Sequence, residues 1–397
     1  MEHPSQRIIQ LAESETLQMA KLSREYKAKG FDIIDLSLGE PDFQTPQHIM
    51  DAAKRAIDEG YTKYSPVAGF FDLRQAISDK FLRDNNLSFT AEQVIVSTGA
   101  KQSLANVMMV LLNPGDEVIV PSPYWVSYRE IIKLAEGKMI AIPSSVESNF
   151  KITAEQLEAA ITPQTKIFCF SSPCNPTGSV FTKQELKDFS QVLKRHPGII
   201  VVADEIYEYI SYIGKHESIA QFEVLKDRVV VVNGCSKGYA MTGWRIGYMA
   251  APLWIAKACD KMQGQITSGT CTISQRAALT AITSDQHKTW EMRDAFQKRR
   301  DLVLQLLNDI PGIKANYPHG AFYVFPDISS FFGKSNGHIT ITNADDLSFY
   351  LIEQANVSVV TGKAFGDAEC IRISYATSEE KITEALRRIK KALAMLN

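Results

Sequence analysis

A lysine and an arginine eight residues apart, Lys237 and Arg245, have the types and spacing most suggestive of chemistry in this sequence. The lysine follows the apolar run 228–232 (RVVVV), which is typical of a buried parallel strand, and then a turn through Gly234. Ligands of open α/β sheets bind at the carboxyl ends of strands. An amine held there, near a guanidinium and partly removed from water, has a lowered pKa and can form a Schiff base. The arginine fork also suits a phosphate.

Two further apolar runs end in polar residues. Run 166–170 leads into SSPCNPTG, where Asn175 lies in a proline-rich turn, and run 199–203 leads to Asp204 and then Tyr207. Because parallel strands end at one edge of a sheet, we expect these side chains to meet the lysine there. The residues alone leave alternatives open, since an aspartate after a strand is often a helix N-cap and Asn-Pro turns are common without a function.

The segment 236–245 (SKGYAMTGWR) resembles the cofactor-lysine segment of the class I (fold-type I) pyridoxal-phosphate-dependent aminotransferases, and in particular their bacterial aspartate aminotransferase branch. Matching motifs extend from Gly39 to Arg372, which is nearly the whole chain. The resemblance implies that pyridoxal 5'-phosphate is the cofactor and that Lys237 is its Schiff-base lysine and the catalytic proton carrier.

The resemblance also assigns residues to the cofactor ring. Asp204 is expected to keep the pyridine nitrogen protonated, which the cofactor needs in order to act as an electron sink. Asn175 and Tyr207 are expected to bind the ring's phenolic oxygen. Trp125, in PSPYWVSY, matches the aromatic residue that stacks on the ring, although a lone tryptophan is more often part of a core.

Phosphate binding is expected where a strand passes through glycine into a helix, at residues 97–101 (STGAK), because helix N-termini bind anions. The residues assigned to the cofactor in this way are Gly99, Ala100, Lys101, Ser236 and Arg245. Tyr64, in KYSPVAG, matches a tyrosine that this family contributes to the phosphate of the partner subunit. By itself Tyr64 would be an ordinary half-buried aromatic residue. The resemblance implies a homodimer with shared active sites.

The substrate is expected to be held at both ends. Arg372, in RISYATS, matches the arginine that grips the α-carboxylate through two parallel hydrogen bonds, and Gly39 matches a backbone donor to the same group. Lys101 matches a lysine that binds the distal carboxylate of aspartate or glutamate, assisted by Thr16 of Ser14-Glu15-Thr16. The alternative is that Lys101 is only an exposed residue at a helix start. Trp125 and Asn175 are expected to contact the substrate as well.

One departure from the family concerns substrate range. Relatives often carry Lys-Pro just before the Ser-x-Thr element, and some of those accept prephenate, whereas this chain has Ala12-Glu13. Loss of a cation and gain of an acid near the cleft mouth make activity on that larger dianion doubtful.

The bulk composition is that of a globular protein, with 397 residues, 45% hydrophobic and 22% charged. A formal net charge of −2 gives no electrostatic reason to expect nucleic acid or a membrane surface as a partner. The N-terminal residues lack the hydrophobic stretch of a signal peptide, and the six cysteines include no C-x-x-C pair, so a cytoplasmic protein with reduced thiols is expected. The scattered histidines predict no metal site.

Short apolar runs alternate with amphipathic helical patterns at 94–97, 117–120, 138–142, 166–170, 199–203, 229–232 and 247–250. This alternation predicts an α/β fold with a mostly parallel seven-stranded sheet covered on both faces. Past about residue 284 the chain becomes charged and helical and then strand-like at 320–326, 357–360 and 370–374, which predicts a smaller α+β domain. We assign 43–290 to the large cofactor-binding domain, and 1–42 with 291–397 to the small domain.

These observations predict an aminotransferase that moves the amino group of L-aspartate to 2-oxoglutarate with ping-pong kinetics. The nearest alternative is a sister enzyme with the same cofactor that acts on aromatic amino acids, alanine or prephenate, or an α,β-lyase. A ligand-sensing regulator that retains the fold is the alternative from another class. It is disfavoured because only about forty residues precede the GEPDF segment, too few for a DNA-binding module.

Overall fold

The computed structural model describes residues 4–13 and 15–397. The strands are β1 (Ile34–Asp35), β2 (Val94–Ser97), β3 (Glu117–Pro121), β4 (Lys138–Ile142), β5 (Thr165–Ser171), β6 (Ile200–Asp204), β7 (Val229–Gly234), β8 (Gly247–Ala250), β9 (Tyr323–Val324), β10 (Val357–Ser358), β11 (Val360–Thr361) and β12 (Ile371–Ser374). The helices are α1 (Gln6–Ile9), α2 (Glu15–Ala28), α3 (Gln47–Asp58), α4 (Phe71–Lys80), α5 (Ala100–Leu111), α6 (Ser127–Leu134), α7 (Ala154–Ala160), α8 (Lys183–Arg195), α9 (Leu253–Ile266), α10 (Thr272–Thr283), α11 (His287–Asn308), α12 (Ala344–Gln354) and α13 (Glu379–Leu393).

The predicted α/β fold with its mostly parallel sheet is confirmed. Across residues 15–397, seven strands form one sheet in the order β2-β8-β7-β6-β5-β3-β4, and each corresponds to one of the seven apolar runs. β8 pairs antiparallel with both β2 and β7, whereas β3 to β7 pair in parallel. Register aligns Ser171 with Asp204 and Asp204 with Val232, so the ends of β5, β6 and β7 lie side by side.

The two faces of this sheet are both buried, which explains why its strands read as continuous apolar runs. In β7, Val229 and Val231 pack toward α3, α4, α8 and α10, while Val230 and Val232 pack toward α5, α6 and α9. Alternate side chains of a strand point to opposite faces, so one valine run supplies both cores. This packing fixes where each strand ends, and therefore where the polar residues that follow it are placed.

A separate apolar core joins the C-terminal helices α11, α12 and α13 to the short strands β1, β9, β10 and β12. The run 357–360, predicted as a single strand, divides between two sheets: β10 pairs with β1 in parallel, and β11 pairs with β12 in antiparallel fashion. Buried Val359 lies at the point where the chain changes sheets. The division into 43–290 and 1–42 with 291–397 stays a prediction.

Within the described residues, no helix has the length and apolar character needed to cross a bilayer.

Candidate active site

A cavity of about 400 Å³ lies at the carboxyl edge of β5, β6 and β7, in the size range of small-molecule sites. It brings together most of the residues that the sequence predicted for cofactor and substrate. Those that line it are Thr16, Gly39, Ala100, Lys101, Trp125, Asn175, Asp204, Tyr207, Ser236, Lys237, Arg245 and Arg372.

Lys237 occupies the floor of this cavity, just beyond the end of β7. Its ammonium donates a hydrogen bond to the carbonyl oxygen of Gly39 and lies 5.8 Å from the ring centroids of Tyr207 and Phe322. Burial, reinforced by the positive charge of Arg372, lowers the pKa of Lys237 to about 8. The amine is therefore far closer to its neutral, nucleophilic form at physiological pH than a lysine in water.

Asp204 ends β6 and is almost fully buried, with 4% of its surface exposed. Its carboxylate accepts a hydrogen bond of 2.7 Å from the hydroxyl of Tyr128 and one of 3.3 Å from the backbone N–H of Ile206. Burial raises its pKa to about 6. The N-cap alternative is wrong, because the described residues 206–209 form turns and no helix begins directly after Asp204. The contact with Ile206 belongs to that turn, and the carboxylate lies in the cavity lining.

The reverse side of segment 204–208 holds it in place through buried charges. Glu205 lies 3.1 Å from the imidazole of His216 and accepts a 2.6 Å hydrogen bond from a serine, and Glu208 forms an ion pair with Lys80. All four of these charged side chains are less than 10% exposed. A buried ion pair resists the loss of either partner, so the segment that carries the cavity residues is anchored from behind.

The predicted phosphate corner forms where β2 enters α5. Gly99 has φ 84°, and a methyl group placed on it would lie 2.5 Å from the Arg245 guanidinium. A methyl group on Gly247 would lie 2.3 Å from the backbone nitrogen of Ala100. Two glycines thus allow a helix N-terminus, an arginine and a strand to converge, as an anion site requires. Arg245 itself has φ 53°, an uncommon backbone conformation for a non-glycine residue.

Arg372 lies on β12 and is only 2% exposed. One terminal nitrogen donates to the Asn175 side-chain oxygen at 3.1 Å, another donates to the Ser37 carbonyl at 2.6 Å, and the guanidinium stacks 4.6 Å from the ring centroid of Tyr323. Its Nε is buried without a hydrogen-bond partner among the described residues. An unsatisfied buried donor on a cavity wall favours an anionic ligand.

Lys101 lies in the first turn of α5 and is exposed in the single chain, as the alternative of an ordinary helix-start residue expects, yet it also lines the cavity. Its ammonium is 5.0 Å from the ring centroid of Trp125, a distance typical of a cation–π contact. Partial removal from water, together with the charge of Arg245, lowers the pKa of Lys101. The Lys101 ammonium thus lies over Trp125, an aromatic residue of the cavity lining. This position favours the predicted substrate-binding role over that of an ordinary residue at a helix start.

Some predicted residues do not line the cavity. Gly99 lies behind Arg245 and shapes the corner from there. Tyr64 is 96% exposed on a loop, so any contact with a phosphate would need a second copy of the chain. Ser14 lies outside the described residues. Ala12 and Glu13 are absent from the described cavity lining, and the N–H of Ala12 donates to Glu130 instead.

Sequence reasoning missed several residues that shape the cavity. Tyr323 lines it, and Tyr128, in the first turn of α6, holds Asp204. The spacing of Trp125 and Tyr128 was a usable signal, because they lie three residues apart across the start of α6 and their rings pack edge to face. Tyr323 gave no comparable signal, since its strand comes from a part of the chain remote from the β5–β7 edge.

Comparison with known proteins gives the class to which this fold and site belong. The family described as "Aminotransferase class I and II" matches residues 32–389, and the chain belongs to that family. The family depends on pyridoxal phosphate, and the chain is a transaminase of this kind.

Individual relatives extend over the full length. The chain is 47% identical, over 97% of both sequences, to the aspartate/prephenate aminotransferase of Cereibacter sphaeroides. The crystal structure of the aspartate aminotransferase from Rhizobium meliloti is similar with a TM-score of 0.97, 43% identity and full coverage of both chains. The aspartate aminotransferase from Thermus thermophilus with maleate is similar with a TM-score of 0.92, 40% identity and coverage of 99% and 100%.

The residues present fit pyridoxal phosphate. The cavity offers buried Asp204 for the pyridine nitrogen and Lys237, with its lowered pKa, for the carbonyl. It offers Arg245, packed against Gly99 at the start of α5, for the phosphate, and Trp125 for the ring. A cationic ring nitrogen would also offset the cost of burying an ionised Asp204.

Proposed function

We propose that this protein transfers the amino group of L-aspartate to 2-oxoglutarate, giving oxaloacetate and L-glutamate in a ping-pong reaction. The observation that carries the proposal is that Arg372 of β12 and Lys101 of α5 line the same cavity as Lys237. Two cationic side chains from different elements around one reactive amine suit a substrate with a carboxylate at each end. The Thermus relative bound to maleate, itself a dicarboxylate, supports the same substrate class.

The cofactor would be held by the residues at the cavity floor. We assign the phosphate to Ser236, Arg245 and the backbone of Gly99, Ala100 and Lys101, and the ring nitrogen to Asp204. Asn175 and Tyr207 would bind the phenolic oxygen, and Trp125 would cover the ring. When bound, the cofactor withdraws electrons from the substrate's Cα–H bond and stores the amino group between the two half-reactions.

The chain's own residues then bind, orient and move a proton. Arg372, with Gly39, grips the α-carboxylate, while Lys101, with Thr16, receives the distal carboxylate. The neutral amine of Lys237 would take the proton from Cα as a general base and, as a general acid, would deliver it to C4′ of the cofactor; the second half-reaction would reverse this transfer. Its pKa of about 8 keeps both protonation states accessible near neutral pH.

Prephenate is the second candidate substrate, because the Cereibacter relative is named an aspartate/prephenate aminotransferase. The sequence-based doubt rested on Ala12 and Glu13, and neither contributes to the described cavity lining. Prephenate is a 2-oxo acid, so it would replace 2-oxoglutarate as the amino acceptor. Return of the visible cofactor band when prephenate is added after aspartate would support this candidate, and no return of the band would exclude it.

We also propose a homodimer in which Tyr64 completes the partner's phosphate site. Its near-complete exposure in a single chain supports this assignment. The division into a large domain at 43–290 and a small domain at 1–42 and 291–397 is part of the same proposal and is supported by the separate C-terminal core. A cytoplasmic location stays a prediction.

The experiment that tests the function is the visible absorption spectrum of the purified protein, before and after addition of L-aspartate without a keto acid. The expected result is a yellow band that aspartate removes and that 2-oxoglutarate restores, because the two half-reactions are separable. A band that ignores aspartate but responds to alanine or phenylalanine would overturn the substrate assignment. Absence of a band after addition of pyridoxal phosphate would overturn the cofactor assignment to Lys237.

Lys101→Ala tests the distal-carboxylate assignment. Loss of a charge-assisted hydrogen bond of about 1.5–3 kcal/mol should lower kcat/KM for aspartate by roughly 10- to 100-fold and leave kcat/KM for alanine within about threefold. Steady-state kinetics with both donors measure the ratio, and Lys54→Ala, on the exposed side of α3, serves as the control. Equal losses for the two donors would contradict a role for Lys101 in recognising the second carboxylate.

A further inference from the structure

The hydroxyl of Tyr323 lies at a junction inside the cavity that the functional assignments above leave unused. It is 2.8 Å from the hydroxyl of Tyr207, and the Tyr323 ring stacks against Arg372 with 4.6 Å between the guanidinium carbon and the ring centroid. The side chain is fully buried, yet it belongs to the cavity lining. Tyr323 therefore contacts one residue assigned to the cofactor and one assigned to the substrate.

The direction of the Tyr207–Tyr323 hydrogen bond follows from counting hydrogens. Geometry alone permits either hydroxyl to be the donor. A phenol has one hydrogen to donate and can accept with its oxygen. If Tyr207 donates that hydrogen to the phenolic oxygen of the cofactor, as proposed above, its oxygen can only accept from Tyr323. The hydrogens then run in one direction, from Tyr323 to Tyr207 to the cofactor.

We infer that Tyr323 is a positioning residue that donates its hydroxyl hydrogen to Tyr207 and so fixes and strengthens the hydrogen bond that Tyr207 gives to the cofactor's ring oxygen. This inference rests on the proposed function. Chains of hydrogen bonds polarise one another, so a donor behind Tyr207 makes Tyr207 a better donor in front. A better donor stabilises negative charge on the ring oxygen. The bound cofactor then loses its proton more readily, so its pKa is lowered.

Position within the fold explains why Tyr323 can do this. β9 pairs with β12 so that Tyr323 lies opposite Ser374, which is two residues along β12 from Arg372. The edge-to-face contacts of the Tyr207 ring with Phe322 and Tyr323 fix its orientation. A methyl group on Gly39 would meet the Tyr323 hydroxyl at 3.0 Å, so the segment that carries the Lys237 hydrogen-bond acceptor also packs on this hydroxyl.

The test is the pH midpoint of the visible cofactor band in wild type, Tyr323→Phe, Tyr207→Phe and the double variant. Phenylalanine fills the same space and keeps the stack on Arg372. We expect Tyr323→Phe to raise the midpoint by about 0.5 units or more, a roughly threefold change in proton affinity. In a protein that already carries Tyr207→Phe, the Tyr323→Phe substitution should leave the pH midpoint almost unchanged, because Tyr323 acts through the Tyr207 hydroxyl.

Tyr350→Phe is the matched control, since it removes a fully buried tyrosine hydroxyl that donates to the Ala392 carbonyl at 2.8 Å outside the cavity. It should leave the midpoint unchanged. In Tyr323→Phe, kcat should fall while KM for aspartate stays within about twofold, because the stack on Arg372 is retained. An unchanged midpoint, or equal shifts in both Tyr207 backgrounds, would overturn the inference. Absence of any band in wild type would instead overturn the proposed function, and the inference with it.

Discussion

At the scale of single residues, Asp204 shows how a functional group lowers the stability of the protein that carries it. Burial raises the pKa of this carboxyl from 3.8 to about 6. Because the folded-state pKa is raised, the folded protein is most stable relative to the unfolded chain at low pH, where the Asp204 carboxyl is protonated. This contribution of Asp204 to the free energy of unfolding is lost as pH rises through about 6. At pH 8 the ionised, buried carboxylate lowers the free energy of unfolding by about 3 kcal/mol in the cofactor-free protein.

Asp204→Asn should therefore stabilise the cofactor-free protein while it damages catalysis. We expect the free energy of unfolding to rise by as much as about 3 kcal/mol at pH 8, and the difference to vanish near pH 4. Activity should fall by about 100-fold or more, because the ring nitrogen loses its anionic partner. Urea unfolding at the two pH values measures the first effect. Asp58→Asn, at an exposed carboxyl of α3, is the control. A variant less stable than wild type at pH 8 would contradict the account.

The placement of single residues at one cavity could be predicted where the sequence carries a motif, but not where a contact depends on remote chain segments. Lys237, Asp204 and Asn175 each follow an apolar strand, so their convergence could be argued from strand direction alone. Tyr128 and Tyr323 hold those residues from α6 and β9, and no local pattern specifies which distant hydroxyl will reach them. Tyr64 was assigned only by resemblance.

At the scale of elements, the approach of β8 to the start of α5 shapes the phosphate corner. Gly247 pairs with Ser97 on β2 and with Gly234 on β7, and there is no space for a side chain between it and Ala100. The sequence indicated β8 at 247–250 and the start of a helix within 97–101, as the structure has them. It did not reveal that their separation is set by a glycine, because a glycine at a strand start also has many ordinary explanations.

Gly247→Ala should separate these two elements. The added methyl group would lie 2.3 Å from the Ala100 nitrogen, so either the strand or the helix must move, at a cost of roughly 1–3 kcal/mol in the free energy of unfolding. Pyridoxal phosphate should bind at least about tenfold more weakly because the backbone donors are displaced. Equilibrium dialysis and thermal melting measure the two effects. Gly243→Ala, with no atom within 4 Å of the new methyl group, is the control. Equal affinity in both variants would show that the corner tolerates the shift.

At the scale of the whole molecule, the proposed homodimer predicts that a second copy completes the site. Tyr64 is exposed in the single chain, while Arg372, Lys101 and Lys237 already line one cavity. The sequence indicated one large sheet and a separate C-terminal unit from the change in pattern near residue 284. It could not give the way in which the run 357–360 divides between two sheets, because that division is decided by packing and not by the apolar run itself.

Mixing two inactive variants tests shared sites. Chains with Lys237→Ala lack the reactive amine, and chains with Tyr64→Ala lack the phosphate contact given to the partner. A heterodimer of the two contains one site with both residues intact, so purified, differently tagged heterodimers should recover about half the activity of wild type. Each homodimer alone supplies the baseline. A heterodimer that shows only the mean of the two homodimer baselines, or a wild type that is active as a monomer in sedimentation, would exclude site sharing.

The reversed direction of β8 has a consequence for how compactly this site is encoded. Parallel neighbours need a long connection that returns the chain to the opposite edge of the sheet, whereas antiparallel neighbours can be joined by a short one. The chain that leaves β7 therefore returns to the same cavity before it enters β8, and Ser236, Lys237 and Arg245 all fall within that one connection. A graft of this connection into another sheet would carry the reactive amine and two of its cavity neighbours together, provided that the receiving strands run in opposite directions.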